Sequence, residues 1–237
     1  MIAKRVFDFV MALVGLILIS PLFVIVSLIN KFVAKEVFFI QQRVGKNSKP
    51  FSMIKFATMV KDAHIVGGTV TYNNDPRITK VGSFLRKTKI NELPQLINVL
   101  KGDMSFVGPR PLPAKELEIY DPEVAMKIYS IKPGITGFGS LYFFNEEMLL
   151  SKDKSVAEDS FKNEIIPRKS ELELWYVENR SFLFDFKVII ATLSLIFIPS
   201  RFVLSFISRR LSEPDICKNI DEIMVLQQNA KNEPEKM

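Results

Sequence analysis

The chain is 237 residues long, with a formal net charge of +6, 48% hydrophobic residues, 20 Phe and 24% charged residues; that mixture suits a protein part embedded in a membrane and part in water, with an acidic partner. A single cysteine, Cys217, excludes an intramolecular disulfide and fits a reducing compartment, and with His64 as the only histidine no Cys/His metal constellation exists. Any metal must therefore be held by oxygens, as magnesium-like ions are, and nucleic acid is set aside because the Phe residues fall in apolar runs and not among Lys and Arg.

From Phe9 to Ile29 no charged residue occurs for 21 positions. That run is too long for a signal-peptide core, and as a helix of about 32 Å it could cross a bilayer. Lys4 and Arg5 before it and Lys31 and Lys35 after it give no preferred direction of insertion. Ser20-Pro21 near the middle adds a second possibility, a kinked helix with both ends on one face. Proline removes a backbone donor, and the serine hydroxyl can satisfy the carbonyl so freed. Spanning and re-entrant arrangements both remain open at this point. Asp8, an acid beside hydrocarbon, needs a partner, for which Lys4 or Arg5 is expected.

Strand propensity over Glu36–Gly45, turn residues over Gly45–Pro50 and a second run over Phe51–Phe56 predict a basic β-hairpin. Gly67-Gly68 and Asn73-Asn74 mark loops, and Gly67-Gly68 lacks the Lys-Ser/Thr of a phosphate loop. His64, in KDAHIVGGT, reads as an ordinary surface residue. Asp75-Pro76-Arg77 opens a turn, and Val81–Thr88 reads as a short helix. Asn91 is the expected N-cap of a further helix, with Pro94 in its first turn, Leu93, Leu96, Ile97 and Leu100 on its buried face and Gly102 at its end.

A helix N-terminus beside Arg77, Arg86 and Arg110 is a candidate site for a phosphate or pyrophosphate, with Glu92 able to hold a bridging magnesium ion. Farther on, Asp121-Pro122-Glu123 starts a helix that Lys132-Pro133-Gly134 is expected to close. Ile166–Asn179 reads as a helix with Leu172, Trp175 and Tyr176 on one face. Phe182–Ile207 is apolar but broken by Asp185, Lys187, Pro199 and Arg201, which predicts helices lying in the membrane interface and not a second span. Glu146 and Glu147 read as an exposed helix face, and residues from Ser212 onward as a mobile tail.

Four blocks carry a family resemblance: KRVFDF with the following apolar run and Ser20-Pro21; QQRVGKNSKPFSMIKFATM; DPRITKVGSFLRKTKINELPQLINVLKGDMSFVGPRP; and KPGITG with the later WYVENRSFLFDFKVI. Over residues 1–195 the chain resembles the bacterial sugar transferases of the monotopic phosphoglycosyl transferase family, which prime glycan assembly, such as exopolysaccharide or lipopolysaccharide, on a polyprenyl phosphate. The resemblance implies transfer of a sugar 1-phosphate from a UDP-sugar to polyprenyl phosphate, with release of UMP, a magnesium requirement and a covalent phosphosugar intermediate. It implies an Asp nucleophile followed by a metal-binding Glu, a pair that falls here on Asn91-Glu92. It also makes Lys55 a substrate-phosphate contact.

What the resemblance implies for the fold is an α+β, mainly helical protein at the bacterial inner membrane. A re-entrant helix broken at Ser20-Pro21 (residues 1–35) precedes a catalytic domain on the cytoplasmic face (36–210), with a small β-hairpin against helices and interfacial C-terminal helices. A polar tail (211–237) follows. Later glycosyltransferases of the same pathway are expected partners.

Departures from the family pattern are Ala57, where relatives commonly carry a basic residue, FGSLYFFNEEMLL after Gly137, and above all Asn91. A neutral amide is a far poorer nucleophile than a carboxylate, so covalent catalysis is expected to be largely lost. An engineered variant, a natural homologue with a lost or relocated nucleophile, and activation by deamidation are the three accounts. The alternative to an enzyme is a non-catalytic scaffold or substrate-binding relative.

Overall fold

A computed structural model describes residues 2–63, 75–144, 156, 159–198 and 202–204. His64, Gly67-Gly68, Asn73-Asn74, Glu146, Glu147, Pro199, Arg201, Cys217 and the polar tail lie outside the described residues. The described chain is mostly helical, with two small two-stranded sheets and an N-terminal apolar helix.

That helix, α1 (Ile2–Val33), stays helical through Pro21. Pro21 cannot donate to the carbonyl four residues earlier, and Ser20 Oγ donates to that carbonyl, Ile17 O, at 2.8 Å. One stripe of α1 faces protein along its length: Asp8, Ala12, Val26 and Asn30 are buried, and Leu16, Ile19 and Phe23 pack on core residues. The opposite face is exposed and apolar from Val6 to Val33.

Both ends of α1 are fastened. Arg5 donates to Val99 O at 2.6 Å and Leu100 O at 2.9 Å, and Lys4 pairs with Asp185 and also donates to Val107 O. At the other end the buried amide of Asn30 donates to Ala57 O at 2.8 Å. Asp8 does not take Lys4 or Arg5 as partner. It is 3% exposed and accepts from Ser105 Oγ at 2.8 Å and Phe106 N at 3.3 Å, because its side chain lies on the protein-facing stripe.

The hairpin forms as expected, β1 (Phe38–Val44) antiparallel to β2 (Pro50–Phe56), with Phe39 opposite Lys55 and Arg43 opposite Phe51. Period-two alternation puts Gln41, Arg43, Met53 and Lys55 on one face. The connecting turn uses left-handed backbone at Asn47 and Ser48. Helix α2 (Lys80–Lys87) is capped by Thr79, whose Oγ1 accepts from Gly82 N at 2.8 Å. Gly82 is required there, since a Cβ would sit 1.9 Å from Thr58 O.

Asn91 is not the N-cap of the next helix. It lies in a 3-10 turn, Ile90–Glu92, and α3 (Gln95–Lys101) begins four residues after it. A capping side chain accepts from the second or third following N–H. Here Leu93 N is given to Ile90 O, and Pro94 has none. The buried face of α3 is also rotated from expectation: Leu96 is buried, but so are Gln95, Asn98 and Val99, while Leu93, Ile97 and Leu100 are only half-buried. Asn98 explains part of this, donating to Ser52 O at 2.7 Å and accepting from Ile54 N at 3.0 Å, which locks α3 to β2. Gly102, at φ +92°, ends α3 as expected.

Strand β3 (Ser105–Val107) leads to α4 (Ala114–Leu117) and α5 (Pro122–Ile128), the latter capped by Asp121. Lys132-Pro133-Gly134 does not close α5, which stops at Ile128; Gly134 instead opens β4 (Gly134–Thr136), parallel to β3. Then come α6 (Phe138–Tyr142), a π-helical turn Phe161–Ile165, α7 (Ile166–Asn179) and α8 (Phe182–Phe197). Leu172 and Tyr176 of α7 are buried against α5 and α6, with Trp175 half-buried beside Phe138 and Phe184. Asp185 of α8 turns inward to Lys4 and to Tyr176 Oη at 2.6 Å, leaving Phe182, Leu183, Phe186, Ile190, Leu193 and Phe197 exposed.

Candidate active site

Three elements meet where the hairpin, the 3-10 turn and α3 touch. Lys55, on the inner face of β2, places Nζ 2.8 Å from Glu92 Oε1. Gln95, the first residue of α3, donates to Glu92 Oε2. Asn91 Nδ2 donates to Glu92 Oε1 at 3.4 Å, while its buried Oδ1 has no hydrogen-bond partner among the described residues. An orphaned buried acceptor costs about 1–3 kcal/mol, so this turn is held in a shape that local hydrogen bonding does not complete.

The electrostatics are those of a partly dry, cation-rich site. Burial works to raise the Glu92 carboxyl, but Lys55 and Arg110, the Lys55 hydrogen bond and Lys89 together hold it down at about 2. Burial lowers the Lys55 ammonium to about 8; Glu92 opposes that and Arg110 and Arg43 add to it. Arg43 is likewise lowered by burial, to about 10, with Glu116 opposing and Arg110 adding. Arg43 Nη1 donates to Pro111 O at 3.3 Å and Nη2 to Gln41 Oε1 at 2.5 Å, while its buried Nε has no hydrogen-bond partner among the described residues. Arg110 is anchored through its backbone: its N–H donates to Glu173 Oε1 at 3.0 Å, and its carbonyl accepts from Tyr129 Oη at 2.7 Å.

Lys89 precedes this turn in left-handed backbone, at φ +58°. Such a conformation in a non-glycine residue persists only where its surroundings impose it. Here Nζ donates to Phe144 O at 2.8 Å and lies 4.3 Å from the Phe144 ring centroid, tying the turn to the end of the α6 segment.

Of the residues singled out from sequence, Lys55, Asn91, Glu92 and Arg110 come together. Arg77 and Arg86 belong to a second cluster. Arg77 makes a bidentate pair with buried Asp75, with Nη2 2.5 Å from Oδ2 and Nε 2.9 Å from Oδ1, and it donates to Ala63 O. Arg86 Nε donates to Thr58 Oγ1 at 3.0 Å. Burial works to raise the Asp75 carboxyl, but the hydrogen bonds from Arg77 bring it below its usual value. Ser20 and Pro21 sit in α1, away from both clusters in sequence, where the Ser20 hydroxyl takes up the carbonyl that Pro21 leaves unbonded.

Arg43 and Gln95 were not singled out from sequence. Arg43 was legible in principle, because the period-two pattern that puts Lys55 inward puts Arg43 on the same face. Gln95 gives no such signal. For a divalent cation the turn offers the Glu92 carboxylate and the orphaned Asn91 Oδ1. That all-oxygen set fits a magnesium-like ion taking its remaining ligands from phosphates and water. Among the described residues no group of three Asp, Glu, His or Cys converges.

Residues 1–199 match the family described as bacterial sugar transferase. The chain belongs to that family. It is 37% identical over 193 residues to an uncharacterised sugar transferase, EpsL, of Bacillus subtilis, covering 81% of this chain and 86% of that protein. It is 37% identical over 192 residues to the UDP-glucose:undecaprenyl-phosphate glucose-1-phosphate transferase of Escherichia coli, covering 80% of this chain and 39% of that one. With the undecaprenyl-phosphate galactose phosphotransferase of Salmonella typhimurium it shares 35% identity over 208 residues, covering 81% and 40%. The family transferases so named differ in the sugar their names specify.

Proposed function

We propose that the chain is built to transfer a sugar 1-phosphate from a UDP-sugar to undecaprenyl phosphate, releasing UMP, at the first membrane step of glycan assembly. One observation carries this reading. The Lys55–Glu92–Gln95 cluster, with Arg43 and Arg110 around it, borders a buried amide oxygen with no partner. The cations of this cluster suit a diphosphate, and the orphaned oxygen, itself an acceptor, suits a cation bound with it. The printed activities of the E. coli and Salmonella relatives add to it.

In this reading a carboxylate at position 91 attacks the β-phosphorus, forming an O–P bond as the bond to the bridging oxygen breaks and UMP leaves. An oxygen of polyprenyl phosphate then attacks the same phosphorus and returns the carboxylate. Lys55, Arg43 and Arg110 hold phosphate oxygens. Glu92, with the position-91 oxygen, would hold a magnesium ion, which offsets the diphosphate charge. Asn91 interrupts the sequence at its first bond, since a carboxamide oxygen is a weak nucleophile. This chain is then a nucleophile-disabled member that binds substrates without the covalent step.

The membrane part of the reading is a re-entrant α1, entering and leaving from the cytoplasmic face of the inner membrane. Its support is the fastening of both ends, at Lys4-Arg5 and at Asn30, to one folded body. Outward apolar residues of α8 extend the same lipid contact as interfacial helices do. Later glycosyltransferases of the pathway are the partners that would consume the product.

The test is purified Asn91→Asp protein with several UDP-sugars, magnesium and undecaprenyl phosphate. UMP release that depends on the substitution is the expected result; none with any donor counts against the enzyme. Asn91 itself favours a second reading, a non-catalytic substrate-binding or scaffold relative. It requires that Asn91→Asp gain nothing and that partner enzymes co-purify.

A further inference from the structure

The candidate site is mounted on two parts of the fold. Glu92 belongs to the first: Lys55 and Gln95 hold its carboxylate, and β2 and α3, which carry them, are locked together through Asn98. Arg110 belongs to the second. Its backbone is held between Tyr129, just after α5, and Glu173 of α7, in the larger hydrophobic core. Arg43 joins the hairpin to that part at Pro111 O. Lys89 joins the turn itself to it.

The route is continuous. Lys89 Nζ donates to Phe144 O at 2.8 Å and stands 4.3 Å from the ring centroid of Phe144, which packs on the larger core. Phe144 closely follows α6, whose Phe138, Leu141 and Tyr142 are almost wholly buried. On α6, Gly139 lies against Glu173, so close that a Cβ would sit 2.8 Å from its Cγ. Glu173 in turn accepts from Arg110 N. In the other direction, the Lys89 carbonyl accepts from Glu92 N at 3.0 Å. Glu92 and Arg110 are thus connected, through Lys89, by packed and hydrogen-bonded groups.

The backbone at Lys89 shows what this link must offset. At φ +58° glycine would be the easier residue, and an L side chain is disfavoured. The Lys89 side chain offsets that with a bond and a ring contact across to Phe144, and its charge is among those that hold the Glu92 carboxyl down.

We propose that Lys89 is a positioning residue, a strut from the Asn91–Glu92 turn to the α6 segment that sets the spacing between Glu92 and Arg110, and so fits the site to two linked phosphates and not to one. It rests on the reading of this site as one for a UDP-sugar.

The test compares the full chain as it stands with Lys89→Gly, both in detergent, by calorimetry with magnesium and either UDP or UMP. Glycine suits the backbone at this position, so the variant should unfold at about the same denaturant concentration while losing the strut. UDP, whose two phosphates would reach toward both Glu92 and Arg110, should bind several-fold more weakly to Lys89→Gly. UMP, with one phosphate to place, should bind both proteins alike. A merely structural role for Lys89 would not separate the two nucleotides, because only the longer one depends on the spacing. UDP bound equally by both proteins overturns the strut. An equal loss for UDP and UMP also overturns it, making Lys89 a support for the turn as a whole. If the unsubstituted chain binds neither nucleotide, the UDP-sugar reading falls and the strut falls with it.

Discussion

Two charged clusters arise from one basic stretch of sequence, and they are built to opposite ends. At Asp75 the carboxylate, its side chain fully inaccessible, is matched in two-point fashion by Arg77 within a two-residue turn, and the pair closes on itself. At Glu92 one carboxylate faces Lys55, Arg110, Arg43 and Lys89, and a neighbouring amide oxygen is left without a donor. The first cluster uses its charge to fix a turn; the second gathers several cations about one carboxylate, with Glu116 acting on Arg43. Counting Arg and Lys along the chain cannot separate these cases, because the difference lies in whether a local acid is close enough to close the pair.

Breaking each cluster should therefore have different consequences. Asn91→Asp has the largest expected effect, a gain of roughly a thousandfold or more in UMP release, since nucleophile removal in covalent enzymes costs at least that much; intact-mass measurement should also detect a covalent phosphosugar adduct when acceptor is withheld. Asp75→Asn leaves the Arg77 guanidinium without its carboxylate and should cost about 3 kcal/mol in denaturant unfolding, with the dissociation constant for a UDP-sugar unchanged in calorimetry. Glu92→Gln should do the reverse in kind: magnesium-dependent UDP-sugar binding weakens at least about tenfold, with a smaller loss of stability. A result in which both substitutions affect folding and binding alike would erase the contrast.

Acid should expose the same division more gently. Glu92, ordinarily near 4.5, is held at about 2 in the folded chain. A carboxyl lowered on folding contributes stability that is complete above its unfolded value and lost as pH falls through the folded one. The free energy of unfolding should therefore drop between about pH 4.5 and about pH 2, by up to roughly 1 kcal/mol per pH unit from this group. Glu92→Gln should flatten that slope. Asp75, also lowered, should contribute a separate slope that survives in Glu92→Gln and vanishes in Asp75→Asn. The smallest effect belongs to Ser20→Ala, which frees Ile17 O at the Pro21 position and should cost about 1 kcal/mol in detergent or lipid.

Much of the architecture was readable because it is locally encoded. The hairpin follows from alternation on either side of the Gly45–Pro50 turn, α2 from its amphipathic spacing, α5 from Asp121-Pro122, and α7 from its Leu172/Tyr176 spacing. What could not be read depends on groups far apart in sequence. The parallel pair β3–β4 consists of two three-residue strands without a periodic signal, so Gly134 looked like a helix stop. Asp8 was assigned to its helical neighbours, yet it bonds to Ser105 and Phe106, nearly 100 positions away. At the site, Asn91 had the residue type and spacing of a helix cap. That reading failed because the Leu93 N–H it could have used goes to Ile90 O and Pro94 has no N–H to give. Lys55 was assigned through the family resemblance, and Glu92 was read from the residues as a metal ligand before it; their pairing, and Gln95 beside them, required the fold.

The fastening of Lys4 and Arg5 has a consequence for how the chain is made. Their partners are 94 residues away at Val99, 103 at Val107 and 181 at Asp185. During synthesis these two cations reach solvent long before anything they bind has been translated, while the apolar segment after them has already emerged. The helix must be sheltered through that interval by something other than its final neighbours. Only when residue 185 has cleared the ribosome can the last of these contacts close, so the first turn of α1 is among the last to acquire its native partners.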